Sequence, residues 1–152
     1  DVSSSAPARA GKPTDTPADK PADKPNFVVL FVDDMGYGDV GFNGARDPQT
    51  PILDRMAAEG MKFTDFYVHQ RCSPTRLAFM TGSHAHRAGC TKVIYNKDRI
   101  GIHSDEVTTP DLLKTAGYTT GIVGKWHLGD QPPFLPTRQG FDEYLGIPYS
   151  DE

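Results

Sequence analysis

The stretch NFVVLFVDD, Asn26–Asp34, carries the strongest apolar pattern of the sequence. Its apolar run is rich in Val and Phe and too short for a typical helix, a pattern that predicts a buried strand of a parallel sheet over Asn26–Val32. The run stops at Asp33 and Asp34, and the glycine-rich residues 36–41 that follow predict a loop. The periodic part of the chain therefore begins with a strand that ends at two carboxylates.

Helices and further strands are predicted beyond this loop. After residue 41, a Thr-Pro or Ser-Pro pair, typical of a helix start, occurs three times, and each pair is followed by apolar residues and a glycine stop. The predicted helices begin at Thr50, Ser73 and Thr109 and end at Gly60, Gly82 and Gly117, with Leu112, Leu113 and Ala116 facing inward, and further strands are predicted over Met61–Val68 and Tyr118–Val123. This order predicts an α/β fold with a mostly parallel sheet flanked by helices.

Composition narrows the function classes. The 152 residues match one ordinary domain, and a formal net charge of −4 leaves no basic excess for phosphate contacts, so we expect no nucleic-acid partner. No apolar run is long enough for a transmembrane segment, and the sequence shows no secretory signal pattern. Two cysteines, Cys72 and Cys90, are too few for a disulfide framework.

Residues 1–25 differ in composition from the rest. They contain five of the 13 prolines and no aromatic residue, and the block Pro-Ala-Asp-Lys occurs twice in tandem, at Pro17–Lys20 and Pro21–Lys24. Such a segment buries too little apolar area to offset the entropy of ordering. We therefore predict a disordered tether over residues 1–25, with a recognition tail as the alternative, and a folded part over 26–152.

Chemistry-bearing residues follow three predicted strands. In open α/β sheets, sites lie beyond the carboxyl ends of the strands. Asp33 and Asp34 follow the first strand, Cys72 follows the second, and Lys125 and His127 follow the third. We expect these residues to share one rim of the sheet.

Each set of residues has a functional and a structural interpretation. Adjacent carboxylates repel each other, and a hard divalent cation relieves this, although Asp33 and Asp34 alone cannot fill a calcium shell; a solvated turn or a helix cap is the alternative. A helix start at Cys72 favours thiolate and anions, and the fork of Arg76 suits a tetrahedral oxyanion; a buried structural cysteine and a surface arginine are the alternative. Lys125 supplies a cation and His127 an acid or base, unless both are an exposed loop pair.

Two other cysteine or histidine patterns are weak. His84-x-His86 with Cys90 fits no common zinc-ligand spacing, and the two histidines are not one helical turn apart, so the pattern disfavours a metal role. Cys72 and Cys90 do not form a C-x-x-C pair, which disfavours a thiol-redox role.

Four segments together resemble the sulfatase family. CSPTRLAFMTG, Cys72–Gly82, resembles its first signature, and GYTTGIVGKWHLG, Gly117–Gly129, resembles the second. DDMGYGD, Asp33–Asp39, resembles the opening metal segment. QGFDEYLGIPYS, Gln139–Ser150, is similar to the region that follows in the branch of arylsulfatase A and N-acetylgalactosamine-6-sulfatase. The resemblance covers essentially all of residues 26–152.

The resemblance implies an alkaline-phosphatase-like sulfatase fold and a sulfuric ester hydrolase that cleaves sulfate monoesters. Cys72 would be oxidised to Cα-formylglycine by a formylglycine-generating or sulfatase-maturating enzyme. One oxygen of the hydrated aldehyde would attack the ester sulfur and the alcohol would leave; deprotonation of the other hydroxyl would then expel sulfate. The formylglycine formed from Cys72 would also bind a metal ion together with Asp33 and Asp34. This ion would be Ca²⁺ or, alternatively, Mg²⁺.

The remaining roles follow from the same resemblance. Arg76 would steady the formylglycine and the sulfate charge, and Lys125 would bind the sulfate or the diol. His127 would be the base for sulfate expulsion, and Ser150 matches a position near the substrate sulfate. The substrate would be an aryl sulfate or a sulfated glycan, and the location periplasmic or secreted. A phosphodiester or phosphonate monoester hydrolase of the same superfamily, or a non-catalytic relative that binds sulfated glycans, remains an alternative.

The chain departs from the family pattern in two respects. Gln70 and Arg71 stand before Cys72, where relatives more often have small or apolar residues. The family's second pair of metal ligands, an Asp-Asn pair, and further catalytic His and Lys residues have no counterpart in this sequence. We therefore expect an N-terminal fragment of a sulfatase whose active site is incomplete and which is inactive by itself.

Overall fold

The computed structural model describes residues 24–150, so nearly all of the predicted tether lies outside it. The described residues form two compact units, one of Pro25–Val68 and one of residues 69–150. Each helix among these residues is too short or too polar to cross a membrane.

Helix α1, Pro51–Glu59, organises the unit Pro25–Val68. It begins after Thr50 and ends before Gly60, as the sequence predicts. The Thr50 hydroxyl accepts a hydrogen bond from the Gly41 N–H at 2.8 Å and donates to Asp54 Oδ1 at 3.0 Å. The same Asp54 oxygen accepts the Phe42 N–H at 2.7 Å. These bonds tie the short 3₁₀ turn Gly41–Asn43 to the start of α1, and the 3₁₀ turn Tyr37–Asp39 packs against Gly41–Asn43.

The strands predicted in this unit are wrong. Neither Asn26–Val32 nor Met61–Val68 forms a strand, and both apolar runs are exposed, with Val28 and Tyr67 each 85% accessible. A strand needs a ladder of backbone hydrogen bonds to a neighbour, whereas the apolar pattern reports only a preference for burial. The pattern therefore predicts an apolar segment but not the ladder of strand hydrogen bonds.

The second unit contains the sheet and two helices. Helix α2 covers Cys72–Thr81, α3 covers Thr109–Thr115, and strands β1 and β2 cover Gly121–Val123 and Glu143–Leu145. The strands pair in parallel, with Ile122 opposite Tyr144. The predicted third strand is therefore confirmed in its second half, and the α/β class with a parallel sheet and helices is confirmed. Strand β2 was not predicted.

The helix ends follow local sequence rules. Helix α2 ends at Gly82, which adopts the left-handed φ of 63° that glycine tolerates without strain. Thr108 caps α3 in a reciprocal arrangement with Asp111, one residue before the predicted start. Leu112 was expected to face inward but is 55% exposed. A helix of seven residues has only about two turns, so its apolar pattern does not determine which of its leucines is buried.

The core of this unit lies around Trp126. Leu77, Ile94, Ile102 and Leu128 are buried with it. The Trp126 indole donates to the Phe134 carbonyl at 2.8 Å, and its ring meets Phe141 edge-on at 6.1 Å. The core is therefore built on residues next to Lys125 and His127, and packing fixes the loop that carries them.

Candidate active site

Cys72 is the first residue of α2 and is partly exposed. The segment before it is held by Thr75, whose hydroxyl donates to the carbonyls of His69 at 2.7 Å and Arg71 at 2.8 Å. The next residue, Ser73, is fully buried, and its hydroxyl accepts the Ile94 N–H at 3.1 Å. Cys72 is thus a partly exposed residue on a fixed helix start, where the terminal N–H groups and the helix dipole favour anions.

Arg76 joins α2 to the loop that carries Lys125. It is 8% exposed, and its Nη1 donates to the Lys125 carbonyl at 2.6 Å. A guanidinium stays charged when buried, and a short charge-assisted bond of this kind fixes its orientation. The structure therefore joins helix α2, which begins at Cys72, to the loop that carries Lys125. That the side chains of Cys72, Arg76 and Lys125 form one site stays a prediction.

Residues 124–127 continue the parallel pairing of β1 and β2. Three N–H groups of this segment donate to carbonyls of the opposite segment at 2.8, 2.9 and 3.1 Å, in the pairs Gly124–Leu145, Trp126–Ile147 and His127–Pro148. His127 is 1% exposed, so the alternative of an exposed loop pair is wrong for this residue. The backbone on which Lys125 and His127 stand is held on two sides, by Arg76 and by residues 145–148.

Two predicted site residues have a left-handed backbone. Asp34 has a φ of 53° and His127 a φ of 61°, and within residues 24–150 they are the two residues other than glycine with a positive φ. This conformation costs about 1–3 kcal/mol for most residues and persists where the surrounding structure imposes it. Such strain concentrates at functional sites, so the observation supports a role for both residues.

Ser150 has a buried hydroxyl. Its Oγ has no hydrogen-bond partner among the residues that the structure describes, although it is excluded from solvent. The Tyr144 hydroxyl on β2 is in the same situation, and burial raises the pKa of Tyr144. A buried hydroxyl without a partner is destabilising, and a ligand oxygen would satisfy it.

Asp33 and Asp34 belong to the unit Pro25–Val68, and both are exposed. Carboxylate oxygens are the ligands that hard cations such as Ca²⁺ and Mg²⁺ take, so the donor type fits the implied metal. Two carboxylates supply at most about four of the six to eight oxygens that Ca²⁺ takes, so they are only part of a site. That these carboxylates share a site with Cys72 stays a prediction.

Comparison with known proteins decides the family. The family model described as Sulfatase matches residues 25–152. The chain belongs to the sulfatase family. It is 47% identical over 128 residues to arylsulfatase G of Canis lupus familiaris, covering 84% of this chain and 24% of that protein. It is 50% identical over 132 residues to N-acetylgalactosamine-6-sulfatase of Mus musculus, covering 81% and 25%. It is 47% identical over 131 residues to arylsulfatase A of Homo sapiens, covering 84% and 26%.

Solved structures agree with this assignment. The sulfatase chain matches the crystal structure of Ps i-CgsB with a TM-score of 0.74 and 42% identity, covering 78% of this chain and 27% of that one. It matches PsFucS1 sulfatase from Pseudoalteromonas sp. with a TM-score of 0.72 and 36% identity, covering 79% and 25%. The predicted alkaline-phosphatase-like sulfatase fold is confirmed. The chain spans about a quarter of the length of the relatives that it matches.

The sulfatase chain also contains a histidine group that the sequence analysis missed. His69, His84 and His86 lie together. The sequence pattern instead grouped His84 and His86 with Cys90. Cys90 is buried, its thiol donates to the Lys92 carbonyl at 3.4 Å, and burial raises its pKa. A thiol with a raised pKa is a poor nucleophile, so Cys90 has the properties of a structural cysteine. Fourteen residues separate His69 from His84 in sequence, and no local spacing rule connects them.

Proposed function

We propose that this chain carries the nucleophile of a sulfatase that hydrolyses sulfate monoesters. The observation that carries the proposal is the bond from Arg76 to the Lys125 carbonyl. Through this bond, the helix that begins at Cys72 and the loop that ends in His127 form one fixed arrangement. A nucleophile, two cations and a base are the groups that transfer of a sulfuryl group requires.

Cys72 provides the nucleophile after oxidation to Cα-formylglycine by a formylglycine-generating or sulfatase-maturating enzyme. The hydrated aldehyde supplies an oxygen nucleophile that forms a covalent link to sulfur and is then regenerated. The partial exposure of Cys72 leaves its side chain accessible to a maturation enzyme and to a substrate. The fixed turn made by Thr75 keeps this side chain at the helix start, where negative charge is favoured.

Arg76 and Lys125 offset the charge that develops on the sulfuryl group. Arg76 is oriented by its bond to the Lys125 carbonyl, so its remaining N–H donors are positioned before substrate binds. Lys125 contacts the sulfate, and the Ser150 hydroxyl completes the contacts to its oxygens. His127, which is nearly fully buried, accepts the proton whose removal expels sulfate.

Asp33 and Asp34 would hold the metal, and the resemblance implies the residue formed from Cys72 as a further ligand. Ca²⁺ fits these ligands, with Mg²⁺ as the alternative, and a bound cation would offset the charge of the sulfate ester and orient it. The two carboxylates supply too few oxygens by themselves. We therefore propose that the 152-residue chain is a fragment that binds Ca²⁺ weakly and is inactive without further residues.

The substrate is an aryl sulfate or a sulfated glycan, and the protein acts in the periplasm or outside the cell. The names of the relatives support this class, since they include arylsulfatases and an N-acetylgalactosamine-6-sulfatase. A phosphodiester or phosphonate monoester hydrolase of the same superfamily is the second candidate. A relative that only binds sulfated glycans is the third, and it would keep Cys72 as a thiol.

Hydrolysis assays separate these candidates. The longer protein that contains this chain is produced with a maturation enzyme and assayed on p-nitrophenyl sulfate and on bis-p-nitrophenyl phosphate. We expect a higher kcat/KM on the sulfate, loss of activity in Cys72→Ala, and retained activity in Cys90→Ala, the matched control. A higher kcat/KM on the phosphate diester would support the second candidate, and tight glycan binding without turnover would support the third.

A further inference from the structure

Three imidazoles converge on the surface of the second unit. His69, His84 and His86 each offer a ring nitrogen, and these three nitrogens lie within 4.8 Å of one another. The rings of His69 and His84 meet edge-on at 4.6 Å, and the centroid of the His86 ring lies 5.4 Å from that of His84 and 5.9 Å from that of His69. We call these residues the histidine cluster. None of its members takes part in the proposed sulfatase chemistry.

The backbone holds the histidine cluster in place. The His69 carbonyl accepts the Thr75 hydroxyl at 2.7 Å, which ties this residue to the first turn of α2. The carbonyls of His84 and His86 are bonded within a tight turn, to Arg87 N–H at 2.8 Å and Gly89 N–H at 3.3 Å. Binding of a metal at such a site costs little conformational entropy, because the segments that carry the ligands are already fixed.

Burial explains why two of these histidines point to one side. Ala85, which lies between them, is fully buried in the hydrophobic core, and its carbonyl accepts the Cys90 N–H at 2.9 Å. His84 and His86 are exposed, and His69 is partly buried. The two exposed rings therefore have room to move towards His69.

We propose that His69, His84 and His86 bind a Zn²⁺ ion and leave one coordination position open. Neutral imidazole is a favoured ligand of Zn²⁺, which is bound at about 2.0–2.1 Å in tetrahedral geometry. Three nitrogens on such a tetrahedron are about 3.3 Å apart, so the cluster must contract by at most about 1.5 Å. Rotation of the exposed His84 and His86 side chains supplies this contraction. The set resembles an open site with three protein ligands rather than a closed structural one.

One ring nitrogen of His69 faces a backbone donor. Its Nε2 accepts the Ala85 N–H at 3.5 Å, the long limit of a hydrogen bond. A nitrogen that accepts a hydrogen bond has a free electron pair, which is the state that binds a metal. Zn²⁺ at Nε2 replaces a weak contact, so little is lost when the metal binds.

The ligand type distinguishes this site from the one at Asp33 and Asp34. Ca²⁺ and Mg²⁺ prefer oxygen ligands, and the histidine cluster offers only nitrogen. Ca²⁺ therefore binds at the carboxylates and Zn²⁺ at the histidines. Positive charges at Arg71 and Arg87, which lie close to the cluster in sequence, weaken the affinity relative to a closed structural site.

Calorimetric titration of the 152-residue chain with ZnCl₂ tests the proposal. We expect one Zn²⁺ per chain, and a loss of affinity of about 100-fold or more in each of His69→Ala, His84→Ala and His86→Ala, because loss of a direct ligand costs at least as much as loss of its supporting contacts. The control is His103→Ala, an exposed histidine outside the cluster, and its affinity stays within about twofold of the parent. Excess CaCl₂ does not displace the zinc.

Further variants and spectroscopy show which atoms bind the ion. Co²⁺ in place of Zn²⁺ should give the intense visible bands of four-coordinate cobalt without a sulfur-to-metal charge-transfer band. The double variant Cys72→Ala, Asp34→Asn keeps its zinc affinity, which separates this site from the proposed catalytic one. Circular dichroism confirms that each variant is folded, and His84→Gln replaces His84→Ala if the latter is not.

Three results would overturn the proposal. They are absence of zinc binding by the folded parent chain, unchanged affinity in all three cluster variants, and loss of binding in the Cys72→Ala, Asp34→Asn double variant. The last result would assign the ion to the catalytic residues. Sulfate hydrolysis is measured in a separate assay, so failure of the zinc proposal and failure of the proposed function are distinguishable.

Discussion

Replacement of Arg76 by methionine should destabilise the second unit measurably. Methionine keeps much of the length of the side chain but removes the guanidinium that donates to the Lys125 carbonyl at 2.6 Å. Because Arg76 is 8% exposed, water has little access to replace the lost donor. The carbonyl of Lys125 then loses a donor in a protected environment.

The expected loss is about 2 kcal/mol. A hydrogen bond to a charged group contributes about 1.5–3 kcal/mol, and an unsatisfied buried acceptor costs about 1–3 kcal/mol. Release of the buried charge offsets part of this, so the lower half of the range is expected. With a urea m-value of about 2 kcal/mol per M, the midpoint of unfolding moves down by about 1 M.

Fluorescence of Trp126 provides the assay. It is the one tryptophan in the sequence, it is 1% exposed, and it lies next to Lys125, so its emission reports the loss of this core. Urea unfolding is compared between the parent chain, Arg76→Met and the control Arg99→Met, which replaces an exposed arginine. The control should stay within about 0.5 kcal/mol of the parent. Equal midpoints for the parent chain and Arg76→Met would refute the role of Arg76 as the link between α2 and the loop.

Three further predictions concern the loop, the sheet and the substrate contact. Burial alone would raise the pKa of Asp142, but hydrogen bonds from Thr120 and Lys114 outweigh it and hold the pKa below its ordinary value. The folded state thus binds fewer protons than the unfolded state near pH 4, stability falls as the pH drops through this range, and Asp142→Asn should flatten the decline in acid urea titrations. Because His127 has a φ of 61°, His127→Ala should be about 1 kcal/mol less stable than His127→Asn in urea, while both variants lose sulfatase activity in the longer protein; equal stability would argue against backbone strain. The Ser150 hydroxyl is buried without a partner among the described residues, so Ser150→Ala should leave the urea midpoint unchanged or raise it. In the longer protein, the same variant should increase the KM for a sulfate ester. A large loss of stability would contradict this prediction.

Local rules predicted the helices well. Thr50, Pro51 and Gly60 carry the start and stop signals of α1, and the structure places its ends there. These signals act through hydrogen bonds and backbone angles within a few residues, so the sequence contains them in full. The start of α2 at Cys72 differs from the expected start by only one residue.

Strands were predicted less well because their partners are not local. The apolar run Asn26–Val32 gave a strong signal and forms no strand in the described chain, whereas Glu143–Leu145 gave none and pairs with β1. Three residues are too few to show an alternating pattern, and pairing depends on what lies alongside. The apolar pattern of a segment alone does not identify the segment that lies alongside it.

In the candidate site too, local sequence predicts some features and only the fold determines others. The spacing of Cys72 and Arg76 places both on helix α2, and the Arg76 side chain donates to the Lys125 carbonyl. That these residues share one catalytic site stays a prediction. The histidine cluster was missed because His69 reaches His84 only through the fold. A metal site whose ligands come from separate segments leaves no spacing rule in the sequence.

The mass of one tryptic peptide shows directly whether Cys72 is converted to formylglycine. Cleavage after Arg71 and Arg76 releases the peptide CSPTR, which contains Cys72. In enzyme that hydrolyses a sulfate ester, we predict this peptide to be about 18 Da lighter than its cysteine form, the change expected for conversion of the thiol to an aldehyde. Fully active enzyme in which the peptide retains the mass of unmodified cysteine would contradict the proposed nucleophile.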